Sequence, residues 1–375
     1  MKLSHLFVFF FLVSCFFYNL QASELRLLLL ILWAASGLYL SLYPDNRLSK
    51  NFVLISLAYI FYYLFSLLLK PSSLNFSIEG AKVEAYTVFL FPVFFGILSN
   101  YIKIDVNRVL TLTVWSIIFL LMLDVTFRYL VEPNCFMNYL CRREAKTVGW
   151  ISTTNVTGAC VVVLILSLLD KNFKFKKIAL SILTFVLITT IARAAILAFL
   201  AVLGVRFFLK SKNIFTKAFI TAFPLSILIF FVTYFNLLSD GSFLSKIDFF
   251  VNTQAIMLDA DVFDLLFGFG SSFETIINVL GFQVWSPHIP FLKTFLYYGL
   301  IGLFLSLIPF FYMLFLERKF FYPFLAYFII SLAGAPIVFP ALIGSFLILS
   351  SNSSNNQEKF DHRKLKNHEF RGVAL

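Results

Sequence analysis

The sequence predicts an all-α integral membrane protein, a polytopic bundle of about twelve transmembrane helices. Three observations lead to this fold class. Hydrophobic residues make up 60% of the chain and charged residues only 13%. Apolar stretches long enough to cross a bilayer recur from one end to the other. Lysine and arginine residues cluster between alternate stretches, as they do in short cytoplasmic loops. The formal net charge of +11 therefore sets orientation in a membrane and gives no support to a nucleic-acid partner.

The predicted spans place both termini in the cytoplasm. They are residues 6–20, 25–43, 52–69, 86–98, 109–123, 156–169, 178–192, 194–209, 218–238, 291–316, 321–338 and 341–349. Residues 1–350 thus form one polytopic membrane domain with long outer loops at 124–154 and 239–290. The polar, basic tail 351–375 is predicted to be disordered. In the second loop, residues 249–266 mix apolar and polar positions, as an amphipathic helix lying on the bundle would.

The first span and the cysteines leave alternatives open. Lys2 precedes an apolar stretch, which resembles a secretory signal, but with so many spans behind it a retained helix is the favoured interpretation. Cys15 and Cys160 fall in apolar spans and are predicted to be packing residues. Cys135 and Cys141 share the first outer loop, as either a local disulfide in an oxidising compartment or two free thiols.

Arg193 lies in the middle of a long apolar run, residues 178–209, with a lysine cluster on each side. A single helix would put the two clusters on opposite faces of a bilayer, whereas short basic loops stay on the cytoplasmic side. The run is therefore predicted to be two short helices that enter and return, with Arg193 at their outer apex. Each arm of about 15 residues spans roughly 22 Å, less than the ~30 Å hydrocarbon core. A guanidinium at that depth is costly and usually functional; the alternative is a side chain that snorkels to the surface.

Basic side chains crowd the first outer loop beside the membrane. They are Arg128, Arg142, Arg143 and Lys146. Guanidinium forks bind phosphates bidentately, so this loop and Arg193 together suit a lipid-linked diphosphate. The alternative is a loop solvated by water and lipid headgroups.

His288 immediately precedes a span on the outer side, in Trp-Ser-Pro-His-Ile-Pro. An imidazole titrates near neutrality and suits general-base work on a hydroxyl. The other three histidines lie at the termini, at His5, His362 and His368. His288 is thus the histidine placed to act outside, although a lone histidine is more often structural.

Three carboxylates of the second outer loop, Asp259, Asp261 and Asp264, raise the question of a metal site. Their spacing does not match a calcium loop, because no glycine turn or distal glutamate follows in register. The favoured interpretation is a solvated polar stripe on a helix, and no metal is predicted.

Four segments carry a further signal. They are Asp124-Val125-Thr126-Phe127-Arg128-Tyr129; Lys146-Thr147 with Ser152-Thr153-Thr154-Asn155-Val156-Thr157-Gly158; Thr189-Thr190-Ile191-Ala192-Arg193; and Phe267-Gly268-Phe269-Gly270 with His288 and Gly299-Leu300-Ile301-Gly302. In this order they resemble the motifs of the bacterial O-antigen polymerases (Wzy type), within the wider polymerase and ligase superfamily. The spacing from His288 to the Gly-Leu-Ile-Gly ending is the most specific element.

This chain also departs from the family pattern. Ile289 stands where the family often has asparagine, and Thr154 where aspartate or serine is common. The arginine usual early in the second loop is absent, and Lys246 is the nearest basic substitute.

The resemblance implies a metal-independent glycosyltransferase of the C-type fold that needs no cofactor and acts at the periplasmic face of the bacterial inner membrane. Its substrates would be undecaprenyl-diphosphate-linked oligosaccharides, joined to make O-antigen. Arg193 would hold the donor diphosphate, helped by Arg128 and Lys146, and His288 would orient or deprotonate the acceptor hydroxyl. Further substrate-binding residues would be Asn155, Arg142, Arg143 and Lys246. The implied partners are membrane lipid and a chain-length regulator and flippase of the same pathway.

Other functions compete with this one. An O-antigen ligase of the same superfamily would move the finished glycan onto lipid A-core; the basic first loop and the segment from Asp124 to Arg128 favour the polymerase. A metal-dependent glycosyltransferase fits less well, because the loop 21–24 is too short for the expected carboxylate pair. A flippase or exporter would need polar residues through many span centres. A structural membrane protein without activity is the remaining alternative.

Overall fold

The computed structural model of the chain describes residues 3–17, 23–41, 57–58, 61–62, 65, 106–131, 154–190, 192–213, 241–269, 290–332 and 340–350. Within these residues the chain is helical and contains no strand, which confirms the all-α prediction. The predicted spans 86–98 and 218–238, most of 52–69, and the tail lie outside the described residues.

The described helices comprise nine that overlap predicted spans and two that lie in the predicted second outer loop. They are α1 (Leu3–Phe17), α2 (Ser23–Ser41), α3 (Asn107–Val131), α4 (Thr154–Leu168), α5 (Lys176–Thr189), α6 (Arg193–Lys210), α7 (Gly241–Asp259), α8 (Val262–Phe267), α9 (Pro290–Leu316), α10 (Phe321–Ser331) and α11 (Pro340–Ser350). A 3₁₀ turn, Arg318–Phe320, joins α9 to α10.

Helix α3 differs from the prediction at its end. The span was expected to stop at Leu123, with the first outer loop starting at Asp124, whereas the helix continues to Val131. The extension packs on the bundle, because Val125 is buried and Tyr129 contacts the end of α5. The start of the predicted loop is therefore helical.

Two helical segments among the described residues are long and apolar enough to cross a bilayer. They are Val109–Phe127 in α3 and Thr294–Phe315 in α9. Shorter apolar segments accompany them, namely Leu3–Phe17, Ile31–Leu40, Val156–Leu168 and Pro340–Ser350. Length and composition thus agree in outline with a membrane protein, and the twelve-span arrangement stays a prediction.

Helices α4 and α11 form the centre of the bundle. All of α11 and the stretch of α4 from Thr157 to Leu168 are buried, which explains why both are apolar around their full circumference. Helix α4 packs against α5, α6, α10 and α11. The hydroxyls of Ser167 and Ser345 lie 2.5 Å apart and join the two central helices. Ser167 also donates to the carbonyl of Val163, so its hydroxyl oxygen accepts from Ser345.

Helix α1 belongs to the core, packed against α2, α3 and α11. Leu12 and Cys15 are fully buried, and Trp33 donates a hydrogen bond from Nε1 to the Cys15 sulfur at 3.3 Å. Cys160 is buried as well, and both thiols are free. The prediction that these two cysteines are packing residues is confirmed, whereas Cys135 and Cys141 lie outside the described residues.

Candidate functional site

The apolar run around Arg193 forms two helices, as predicted. Helix α5 ends at Thr189 and α6 begins at Arg193. The hydroxyl of Thr189 donates to the Val186 carbonyl at 2.7 Å and that of Thr190 to the Leu187 carbonyl at 2.6 Å, while Thr190 also accepts from the Ala192 amide at 3.3 Å. Threonines that bond locally to the backbone compete with helix continuation. The local bonds of the Thr189-Thr190 pair therefore favour the end of α5 here. Thr190, Ala192 and Arg193 are called the apex below.

The two helices return on themselves. Asp170, just after α4, accepts from Nη2 of Arg206 near the end of α6 at 2.5 Å, and Lys210 Nζ lies 3.9 Å from the same carboxylate. The start of α5 and the end of α6 are therefore at one place, called the closing end below. The described lysines of the two clusters lie at this end, namely Lys171, Lys174, Lys176, Lys177, Lys210 and Lys212, and Arg193 lies at the other.

The apex is packed against α4 at a glycine. A Cβ atom added to Gly158 would lie 2.9 Å from the Cβ atoms of both Ala192 and Ala195, and 3.4 Å from Thr190 Oγ1. Real Cβ atoms do not approach so closely, so only glycine fits this contact. The second and third of the four segments therefore meet here.

The first segment reaches the same apex through α3. Tyr129 donates from its hydroxyl to the Thr189 carbonyl at 3.1 Å, satisfying one of the carbonyls that a helix end leaves open. Arg128 is the preceding residue of α3, and Asn155 lies in the first turn of α4, one turn before Gly158. The side chains of Arg128 and Asn155 are outside the described part of the structure.

The N-terminus of α6 attracts anions. Its first N–H groups have no partner within the helix, no side chain of the N-cap residue Ala192 closes it, and the first turn holds no acidic residue. The helix dipole places about half a positive charge there, and Arg193, partly buried, adds a full one. Helix N-termini bind phosphate groups for this reason, so the apex suits an anionic ligand.

The fourth segment forms a separate joint. Gly268 (φ +82°) and Gly299 (φ +66°) face each other: a Cβ on Gly268 would lie 2.4 Å from the Tyr297 carbonyl oxygen, and one on Gly299 2.2 Å from that of Leu266. The Phe269 amide donates to the Leu296 carbonyl at 2.7 Å. Through these contacts Gly268 and Phe269, which follow α8, pack against a kink in α9 at Gly299.

The carbonyls released by the kink are used. Gly299 is non-helical within α9, and the neighbouring Tyr298 carbonyl accepts from the Tyr62 hydroxyl. An interrupted helix is tolerated at membrane depth only where its backbone groups find such partners. Gly268 and Gly299 therefore serve packing, which the sequence did not reveal.

The second outer loop differs from its prediction. One amphipathic helix was expected over 249–266, with its carboxylates in a stripe. The chain instead breaks between α7 and α8, because Asp261 caps α8 by accepting from the Asp264 amide at 2.7 Å. Asp259 ends α7 and Asp264 lies in the first turn of α8, so the three carboxylates do not share one helix face.

The remaining predicted site residues are only partly placed. Lys246 lies in α7, but its side chain is outside the described structure. His288, Lys146, Arg142 and Arg143 lie outside the described residues altogether. The structure thus joins the segments of Arg193, Arg128 and Asn155 and leaves the position of His288 a prediction.

Two buried cations were missed in the sequence. Arg206 falls inside the run that was interpreted as apolar, and its contacts with Asp170 and the Tyr322 ring explain its burial. Lys171 is 3% exposed and donates to the Leu349 carbonyl at 3.0 Å, at the C-terminal end of α11 where a cation is favourable. Burial, aided by the charge of Lys319, lowers the pKa of Lys171 from its usual 10.5 to about 8. The available signals were Arg206 inside an otherwise apolar run and the acidic Asp170 beside the lysine cluster.

Comparison of this chain with protein-family models, with curated proteins and with solved structures finds no match.

Proposed function

We propose that this protein is an O-antigen polymerase of the bacterial inner membrane. It would be a metal-independent glycosyltransferase that moves a glycan from an undecaprenyl-diphosphate donor onto a lipid-linked repeat unit at the periplasmic face. The observation that supports this best is the place of Arg193: it is the first residue of α6, at the apex where three of the four family-like segments converge.

Arg193 is the first residue of α6, where a cation opposes the helix dipole. A diphosphate bound there would contact the guanidinium and the first N–H groups of α6 together, and Arg binds phosphate bidentately. Local rules that are broken at one point mark functional sites, and this placement supports a diphosphate ligand.

The chemistry follows from this placement. The acceptor hydroxyl attacks the anomeric carbon of the donor sugar, the bond from that carbon to the diphosphate oxygen breaks, and the hydroxyl proton passes to His288. Negative charge grows on the departing diphosphate. Arg193 and the amides of α6 are preplaced for that charge, so they stabilise the transition state more than the ground state. Arg128, Lys146, Asn155, Arg142, Arg143 and Lys246 would complete the substrate site.

The orientation in the membrane is part of the proposal. The lysines of the closing end would face the cytoplasm together with both termini, with twelve spans in all. The apex would then face the periplasm, where lipid-linked glycans are assembled. Partners would be the flippase and chain-length regulator of the same pathway.

The test is incubation of the purified full chain with an undecaprenyl-diphosphate-linked repeat unit, with and without chelator. A ladder of lengthening glycans in both samples is expected. A ladder that chelator removes would make the enzyme metal-dependent. Transfer to added lipid A-core without elongation would identify the ligase, and the absence of any transfer would contradict the proposal.

A further inference from the structure

An open groove of about 380 Å³ lies at the closing end, away from Arg193. It is lined by Leu209, Leu314, Arg318, Phe321 and Tyr322. These residues come from the end of α6, the end of α9, the 3₁₀ turn and the start of α10. The groove therefore combines apolar walls with one guanidinium.

One wall of the groove, Tyr322, contacts Arg206 of the Asp170–Arg206 ion pair. The guanidinium of Arg206 lies 5.3 Å from the centre of the Tyr322 ring, a distance at which a cation is attracted to an aromatic face. The Arg206 side chain is only 9% exposed and is held by Asp170. Because Tyr322 contacts this held guanidinium, its ring has a defined position in the wall of the groove.

The charges around the groove favour an anion. Arg318 and Lys319 are both exposed on the 3₁₀ turn, and Lys210 follows Leu209 at the end of α6. Among the described carboxylates near this rim, Asp170 contacts Arg206 and Lys210, and Glu317 directly precedes Arg318. A ligand with a negative group therefore meets a net positive rim.

We infer that this groove binds one anionic glycerophospholipid, with its phosphate on Arg318 and an acyl chain along Leu209, Leu314 and Phe321. A free phosphate would use the guanidinium and leave the apolar walls uncovered. An uncharged lipid would cover the walls and leave Arg318 without an anionic partner. In the proposed orientation the groove faces the cytoplasm, and basic pockets between helices on that side of membrane proteins bind anionic headgroups. The inference does not depend on the glycosyltransferase activity.

The test measures lipid retention by the delipidated full chain in detergent, using native mass spectrometry and thermal unfolding. Phosphatidylglycerol should bind one-to-one and raise the unfolding temperature, and phosphatidylcholine should do so far less. Arg318→Gln should weaken phosphatidylglycerol binding roughly tenfold or more, as the loss of a charge-assisted hydrogen bond does. Leu209→Glu, at a 62% exposed position, should weaken it similarly by placing a negative charge in the groove.

Lys177→Gln is the matched control, because it removes one exposed cation of α5, a helix that does not line the groove. It should bind phosphatidylglycerol as the unaltered chain does. Equal binding of the two lipids, or full binding by both Arg318→Gln and Leu209→Glu, would overturn the inference. So would inorganic phosphate that stabilises the protein as well as phosphatidylglycerol does.

Discussion

Asp170 and Arg206 are joined by an ion pair of 2.5 Å, and this pair holds the loop before α5 against the end of α6. Its two side chains are 23% and 9% exposed, so it is shielded from water far more than a surface pair. It fixes the end of the hairpin opposite Arg193.

Removing one partner of this pair should destabilise the protein. Asp170→Asn or Arg206→Gln should each cost about 3 kcal/mol, because a buried charge then loses its partner. Lys210→Gln, at 3.9 Å and 60% exposed, should cost less than about 1 kcal/mol. Thermal unfolding in detergent measures all three, and a double variant tests coupling. Equal losses from Arg206→Gln and Lys210→Gln would argue against the pair as a stabilising contact.

Gly158→Ala should force the apex away from α4. The new methyl would lie 2.9 Å from two alanine Cβ atoms, and overpacking of this kind costs about 1–3 kcal/mol. The second change Ala195→Gly removes one of the two clashing atoms. The double variant should therefore recover part of the unfolding temperature lost by Gly158→Ala, and no recovery would mean that the clash is not the cause.

Gly299→Ala should disrupt the joint between the second loop and α9. Alanine is strained at φ +66° and would meet the Leu266 carbonyl at 2.2 Å, so the cost should be about 3 kcal/mol. Limited proteolysis should then cut within residues 241–269 sooner. Leu300→Ala, at a neighbouring 41% exposed position, serves as the control and should leave the cleavage pattern unchanged.

Arg193→Ala should abolish glycan elongation while the amount of protein in the membrane stays the same. Loss of a preorganised donor to the leaving group costs on the order of 3 kcal/mol, or about a hundredfold in rate. Arg193→Lys should fail too, because a point charge cannot bind phosphate bidentately, and His288→Ala should fail through loss of the base. Glycan ladders on gels report the outcome, with Lys210→Gln as control. Unaltered ladders from Arg193→Ala and His288→Ala would remove the site assignment.

Lys171 should make the protein more stable as pH rises above neutrality. Its pKa is about 8 in the folded state, below its usual 10.5. Between these values the unfolded chain binds more protons than the folded one, so stability increases with pH. Below about pH 8 the buried ammonium is charged, and the free-energy cost of burying that charge is then fully present. Unfolding temperatures from pH 7 to 10 should therefore rise more steeply for the unaltered chain than for Lys171→Met, whereas Lys177→Met, at an exposed lysine, should keep the steep rise.

The hairpin of α5 and α6 could be predicted because it depends on the distribution of charge along the sequence and not on individual side-chain contacts. The lysine clusters indicated that both ends of the 178–209 run share one side, and the single arginine in its middle, Arg193, indicated the apex. Asp170–Arg206 was not predicted, because the second arm was interpreted as uniformly apolar and the pair bridges residues far apart in the chain.

The contact between Gly268 and Gly299 could not be predicted from the sequence, for another reason. Gly299 sits in an apolar helical stretch, and nothing in its neighbours signals a positive φ. The kink lies where a second backbone, at Gly268, packs against α9, and this contact is between residues far apart in the chain. The predicted end of α3 was wrong for a similar reason. The charged residues Asp124 and Arg128 indicated a loop, whereas the helix continues to Val131 and buries Val125. The position of His288 stays a prediction.

The contact between the end of α8 and the kink of α9 is made by main-chain atoms of both segments. Gly268 and Gly299 allow this close approach, and the rings of Phe267 and Phe269 on either side of Gly268 pack against Tyr62 and Phe295. A side chain at either glycine would therefore displace these rings together with the backbone contact, so the end of α8 and the kink of α9 are fixed as one unit.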